Sequence, residues 1–241
     1  MKLIKNILFY LSVPKCVACG ERLSKDDLAL CDECKKEYDN AIRRSCSRCA
    51  KPIYECTCAM SNLDAHYVHK HIKVFRYRSG ADLPTNKLIY SLKKDNRDDV
   101  LEFLSEELAS SVATAFPDTS ALVFTSVPRR RAAKVKYGID HAALLSSRVA
   151  KKLGAKYQET LISRAKSEQK LSKTREERMK NARFDYLNKR IDLSGKTMVI
   201  VDDIVTTGAS VSVAATLLKG AGAKRIIAAS LAIAYNDDAI K

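Results

Sequence analysis

The sequence predicts an α/β protein: a parallel sheet flanked by helices, preceded by a small cysteine-rich module. Three observations carry the prediction. Eight cysteines fall in four close pairs, all between residues 16 and 58. From residue 69 onward, short apolar strands alternate with amphipathic helices, the pattern of a parallel sheet covered on both faces. The stretch MVIVDDIVTTGAS, residues 198–210, runs an apolar strand into two aspartates and a hydroxyl-rich turn around one glycine. A chain of 241 residues holds a domain plus a module. The expected division is residues 1–62 for the N-terminal helix and cysteine module and 63–241 for the α/β domain.

At the amino terminus, MKLIKNILFYLSVPKC sets two lysines before a short apolar run, as a secretory signal does. Pro14 and Lys15 stand where small cleavage-site residues belong, so the segment reads as a short amphipathic helix ending at Pro14. No apolar run approaches the roughly 18–20 residues of a membrane span, and a cytoplasmic location is expected.

The cysteine pairs come next: Cys16 and Cys19, Cys31 and Cys34, Cys46 and Cys49, and the tighter Cys56 and Cys58. Two residues between cysteines let a turn aim both sulfurs at one tetrahedral metal, and two such turns supply the four thiolates of a closed zinc site. Eight sulfurs make two sites. Disulfides lack a secretion signal to support them, and a redox pair does not need four copies. Sequential pairing is favoured, with a crossed arrangement as the alternative, and one or two structural zinc ions are expected. So short and polar a module buries little apolar surface, so metal binding should stabilise it.

Charge points to anionic partners. The formal net charge is +15, with five positive and no negative residues at 129–136 and ten positive against four negative at 164–190. Two four-thiolate zinc sites would bring the total to about +11. Such a surface attracts nucleic acid or a small polyphosphate, although either run is equally readable as a solvated loop.

Along the α/β part, 69–78 alternates as a strand, and NKLIYSLKK and DDVLEFLSEELASSVATAF read as helices ending at Pro117. Residues 121–127 form a strand, 141–154 a helix stopped by glycine, 196–203 a strand, 210–222 a helix and 224–234 a strand. Between them a basic, anchor-poor stretch reads as a long loop at about 163–183, a length usually kept for function.

In an open parallel sheet, ligands bind beyond the carboxyl ends of the strands, which is where Asp202 and Asp203 fall. The turn Thr206, Thr207, Gly208, Ala209, Ser210 leads into a helix, so its amides, hydroxyls and helix dipole converge as a phosphate cup. Gly208 permits a backbone geometry and a close approach that a side chain would block. The two carboxylates suit sugar hydroxyls or a bound magnesium ion, and together these features indicate a sugar phosphate. An Asp-Asp pair can also simply begin a turn, but the coincidence of strand, carboxylates, Thr-Thr-Gly and helix outweighs that reading. The nucleotide triphosphatase loop G-x-x-x-x-G-K-[ST] is absent from the chain.

VIVDDIVTTGAS resembles the signature of type I phosphoribosyltransferases, and with the cysteine pairs, SLKK at 91–94, SVPRRR at 126–131 and SEQKLSKTREERMKN with Arg175, Arg178 and Asn181, the chain resembles the ComF family. The resemblance implies a type I phosphoribosyltransferase-like fold behind a zinc-ribbon domain, with phosphoribosyl pyrophosphate (PRPP) bound together with magnesium. It implies that Asp202 and Asp203 contact the ribose hydroxyls, that residues 206–210 hold the 5'-phosphate, and that Arg129, Arg130 and Arg131 face the pyrophosphate. The basic loop would be a flexible hood, with Lys166, Lys170, Arg175 and Arg178 neutralising departing pyrophosphate. YGIDHA at 137–142 departs from the family's usual Arg-Gly-Phe-Asn-Gln-like continuation: Gly138 is kept, and His141 reads as an ordinary surface residue in preference to a substituted contact.

No segment identifies an acceptor pocket, so two classes stay open. One is a phosphoribosyltransferase with an unidentified acceptor. The other is a non-catalytic sugar-phosphate sensor that binds single-stranded DNA, as the family's association with competence, natural transformation and DNA uptake implies; Phe75, Tyr77, Tyr137 and Tyr186 lie near basic residues for stacking. A weaker third possibility is a zinc module that docks uptake-machinery proteins.

Overall fold

The computed structural model describes residues 14–24, 27–129, 139–164, 184–187 and 192–234. The expected N-terminal helix, Arg130, Arg131, Tyr137, Gly138 and most of the basic loop, including Lys166, Lys170, Arg175, Arg178 and Asn181, lie outside the described residues.

Two cysteine knuckles open the chain, joined by α1 (Asp32–Ile42), whose first turn carries Asp32 and Glu33 against the helix dipole. A four-residue α2 (Ser61–Asp64) leads to β1 (Val68–Tyr77). Next comes α3 (Pro84–Lys94), with proline in its first turn and Lys93 and Lys94 in its last, both favoured there. It is followed by α4 (Asp98–Ala115) and β2 (Leu122–Ser126). The Asp140 carboxylate caps α5 (His141–Lys152) by accepting from the Ala143 amide at 3.3 Å.

Three short strands, β3 (Lys156–Tyr157), β4 (Leu161–Ser163) and β5 (Phe184–Tyr186), are too brief to leave a period in the sequence. The chain finishes with β6 (Thr197–Val205), α6 (Ala209–Gly220) and β7 (Arg225–Ala234). β6 continues past the predicted end at Asp203 to Val205, so the aspartates lie inside the strand near its carboxyl end and the turn follows Val205.

Five strands form one sheet in the order β1-β7-β6-β2-β3, every neighbouring pair parallel, while β4 and β5 pair antiparallel apart from it. Helices cover both faces, which is why β6 reads as a continuous apolar run instead of an alternating one. Val199 and Val201 enter a core with Leu104 of α4 and Leu145 of α5, whereas Met198 and Ile200 enter a second core with Val211 and Leu218 of α6. This is the predicted parallel sheet flanked by helices.

The cysteine module does not stand alone. Leu23, Leu30, Tyr38 and Ile42 belong to the first core, and the fully buried Tyr38 ring meets Phe75 and Phe103 edge-on at 6.0 and 5.1 Å. The Tyr38 hydroxyl donates to Glu107 on α4 at 3.0 Å, within the buried interface. Burying each such large side chain contributes roughly 1.5–3 kcal/mol, so packing against α4 and β1 adds to what the thiolates supply. Among the described residues, no helix is long and apolar enough to cross a membrane.

Candidate functional site

The strand order locates the site. From β2 the chain passes through α5 to β3, and from β6 through α6 to β7, so the two crossovers leave a shared neighbour pair in opposite directions. Their helices pack on opposite faces of the sheet. The carboxyl ends of β2 and β6 therefore flank the sheet's switch point, where open α/β sheets generally bind ligands. The Val127 amide extends the pairing one step by donating to the Val201 carbonyl at 2.9 Å, which brings the loop bearing Arg129 beside the aspartates.

Asp202 and Asp203 are both half-buried at this point. Each carboxylate accepts a backbone amide, Asp202 from Asp203 at 3.0 Å and Asp203 from Ile204 at 2.7 Å. Asp203 is also paired with Lys93 of α3 at 2.9 Å. Burial, and then the Asp203 charge beside it, push the Asp202 carboxyl up to about 8.

His141, expected on the surface, is instead 4% exposed. It lies at the start of α5 in a polar chain: its Nε2 donates to Asn96 Oδ1 at 2.7 Å, and its Nδ1 accepts from Arg129 Nη1 at 3.3 Å. An acceptor on one side and a donor on the other fix the neutral tautomer. Burial, followed by the Arg129 charge, holds its pKa below the usual histidine range. Arg129 also donates to the Ile139 carbonyl at 2.9 Å, so the loop's first arginine is tied to the helix it precedes. Lys93 lies within the quoted SLKK, to which the sequence assigned no role. For Asn96, three positions further along, the sequence carried no signal.

Beyond Val205, Gly208 takes a left-handed φ of 73° and precedes α6, whose first turn has no acidic residue and no side-chain cap. The Thr207 hydroxyl accepts from the Ala209 amide at 3.4 Å, Thr206 is exposed and Ser210 is half-buried. A helix start whose first turn carries no acidic residue favours an anion through its dipole. The structure thus brings the aspartates, the turn 206–210 and Arg129 to one end of the sheet.

The cysteines gather as two sets, Cys16, Cys19, Cys31 and Cys34, and Cys46, Cys49, Cys56 and Cys58, the sequential pairing. Within each set all sulfurs lie within 4.8 Å of one another, and the Cys19 and Cys31 sulfurs are 3.7 Å apart. With Zn–S near 2.3 Å, a tetrahedral edge is about 3.8 Å, whereas a disulfide needs about 2.05 Å. Both sets fit zinc. Burial raises the first thiol of each knuckle, but backbone N–H groups outweigh it, holding Cys16 down to about 7 and Cys46 to about 6. The buried Lys73 ammonium sits 3.1 Å from Cys56 Sγ and offsets negative charge at the second set.

The paired carboxylates and the start of α6 thus lie at the switch point of a parallel α/β sheet. Residues 139–239 match the family model of the phosphoribosyl transferase domain, so this part of the chain is phosphoribosyltransferase-like. Ribose-phosphate pyrophosphokinase 2 of Archaeoglobus fulgidus is 40% identical over 72 residues, covering 24% of this chain and 27% of that protein. The chain thus matches about a quarter of that relative's length. Similar solved structures include hypoxanthine phosphoribosyltransferase from Staphylococcus aureus (12% identity, 57% of this chain and 67% of that one, TM-score 0.38). Adenine phosphoribosyltransferase from Saccharomyces cerevisiae is similar at 17% identity over 64% and 75%, TM-score 0.40.

Proposed function

We propose that the chain binds PRPP with magnesium and transfers its phosphoribosyl group to an acceptor nucleophile. The observation that carries this reading is the meeting of the Asp202 and Asp203 carboxylates with the anion turn 206–210 at the switch point, inside the segment that matches the phosphoribosyl transferase domain. The relative's description as a ribose-phosphate pyrophosphokinase supports a ribose phosphate as the ligand class.

In this reading the 5'-phosphate rests on the turn, the carboxylates accept hydrogen bonds from the ribose hydroxyls, and Arg129 to Arg131 receive the pyrophosphate. Hard carboxylate oxygens next to a polyphosphate site fit magnesium, which when bound neutralises charge on the departing pyrophosphate. Transfer breaks the bond from the anomeric carbon to pyrophosphate and forms one to the acceptor. The oxocarbenium-like state between them calls for exclusion of water, the role proposed for the basic loop at about 163–183.

Calorimetric titration with PRPP, with and without magnesium, tests the reading. Magnesium-dependent binding is the expected result, and no heat under either condition would overturn it. A pH series adds a sharper expectation. Because the Asp202 pKa is raised, its proton favours the folded, unliganded state: that contribution is full below the ordinary carboxylate range near 4 and is lost as pH rises through about 8. Ribose hydroxyls need the ionised carboxylate, so affinity should climb between pH 7 and 8, by up to about tenfold, and level off above. Asp202→Asn should flatten the curve; an unchanged slope in that variant would place the titrating group elsewhere.

A second reading, binding of single-stranded DNA by a non-catalytic ligand sensor, is favoured by the +15 charge and by Arg43, Arg44, Arg48 and Lys51, exposed around the second knuckle. Oligonucleotide affinity that falls steeply with salt, without PRPP turnover, would favour it. A place in competence or beside uptake-machinery proteins rests on the ComF-like motifs.

A further inference from the structure

We infer that the anion turn is held in shape by Asn62 and Leu63, contributed by the tail of the cysteine module, which makes the module a positioning part of the ligand site. This rests on the reading of residues 206–210 as the 5'-phosphate subsite.

Asn62 lies on α2, a few residues beyond Cys58, and is 5% exposed. Its Nδ2 donates to the Thr207 carbonyl. The Asn62 carbonyl in turn accepts from His66 Nδ1 at 2.6 Å and from the Ser212 hydroxyl on α6 at 3.5 Å. The Asn62 backbone is thus tied to His66 just beyond α2 and to Ser212 on α6, while its side chain reaches the turn. A trans peptide points its C=O and N–H in opposite directions. Anchoring the Thr207 carbonyl on Asn62 therefore aims the Gly208 amide away from that side chain.

Gly208 carries a second, independent mark of this contact. A Cβ there would lie 2.8 Å from Asn62 Nδ2 and 2.8 Å from Leu63 Cδ2, on a backbone already at φ +73°. The sequence suggested that this glycine admits a ligand; the close neighbour in the structure is the module.

The tail bearing Asn62 is fixed to the second cysteine set. Lys73 donates to the Cys58 carbonyl at 2.8 Å as well as reaching Cys56, and Arg48 of the knuckle donates to the Ala59 carbonyl. Ala59 and Leu63 then enter the same core as Val211 of α6. A continuous packed path therefore runs from the second knuckle to the turn.

Two probes separate this role from general stability: ribose 5-phosphate, which needs the turn, and inorganic pyrophosphate, which does not. With zinc content unchanged, Asn62→Ala should weaken ribose 5-phosphate about tenfold, the loss of one buried hydrogen bond, and leave pyrophosphate within twofold. Asn62→Asp should weaken it more, since a carboxylate oxygen would face the Thr207 carbonyl. Unchanged ribose 5-phosphate affinity, or equal losses for both probes, would overturn the inference. If the wild-type protein binds pyrophosphate but no ribose 5-phosphate, it is the subsite reading itself that falls. Should Asn62→Ala fail to fold, Leu63→Ala with zinc content unchanged should lower ribose 5-phosphate affinity and leave pyrophosphate within twofold; unchanged ribose 5-phosphate affinity, or equal losses for both probes, would equally overturn the inference.

Discussion

Replacing Asp202 and Asp203 together by asparagine is expected to abolish magnesium-dependent PRPP binding, with affinity lowered at least 100-fold and the fold nearly untouched. Hydrogen bonds to charged groups contribute about 1.5–3 kcal/mol each, so above the Asp202 pKa of about 8, where it too binds as a carboxylate, losing two ionic acceptors costs a factor of roughly 10² to 10⁴. Stability should move far less. The Asp202 carboxyl is already pushed toward its neutral form, which asparagine resembles in shape and charge. Lys93, left without Asp203, is 39% exposed and can be solvated, and such partly exposed pairs contribute about 0–1 kcal/mol. The melting temperature should therefore shift by no more than about 4 °C. Titration calorimetry and a thermal melt on the same preparation check both halves. Affinity retained within threefold would remove the aspartates from the ribose site.

Removing metal should have the largest effect on stability. A strong chelator is expected to release about two zinc ions per chain and to unfold the module around residues 14–58. Binding free energies of structural zinc, about 10–16 kcal/mol, rival the whole stability of a typical domain. The two cysteine sets should respond differently. The first shares a large core with α4 and β1 through Leu23, Leu30 and Tyr38, whereas the second is surrounded by a minimal cluster of Cys46, Ile53 and Cys56. The second should therefore loosen further than the first. Losing the module would also uncover Phe75 and Phe103, so binding of a hydrophobic dye should rise and the melting temperature should fall by more than about 10 °C. Release of a single zinc would remove the second set from the metal account; two zinc released with the melt unchanged would show that packing alone holds the module.

The sequence by itself determined the elements whose physics is local. Cysteines separated by one or two residues sit on one turn, so the four close pairs were legible from spacing, but which pairs share a four-sulfur set was left between sequential and crossed arrangements until the tertiary structure brought them together. The apolar run of β6, the two aspartates and the Thr-Thr-Gly start of α6 are contiguous, so their order along the chain already implied a carboxylate pair leading into an anion turn. The tertiary structure alone decided which distant side chains reach that point. Periodicity says which face of a helix is apolar, but not what lies opposite a polar residue on it. Lys93 reaches Asp203, His141 is buried between Asn96 and Arg129, and Asn62 holds the carbonyl of Thr207. Each of these pairs joins separate elements, and no spacing rule connects them. β2 and β6 pair although α5 and three short strands separate them in the chain, and it is that pairing that brings Arg129 beside the aspartates. The composition of the site was local information; its surroundings depended on strand order and helix packing, which are set by burial over the whole chain.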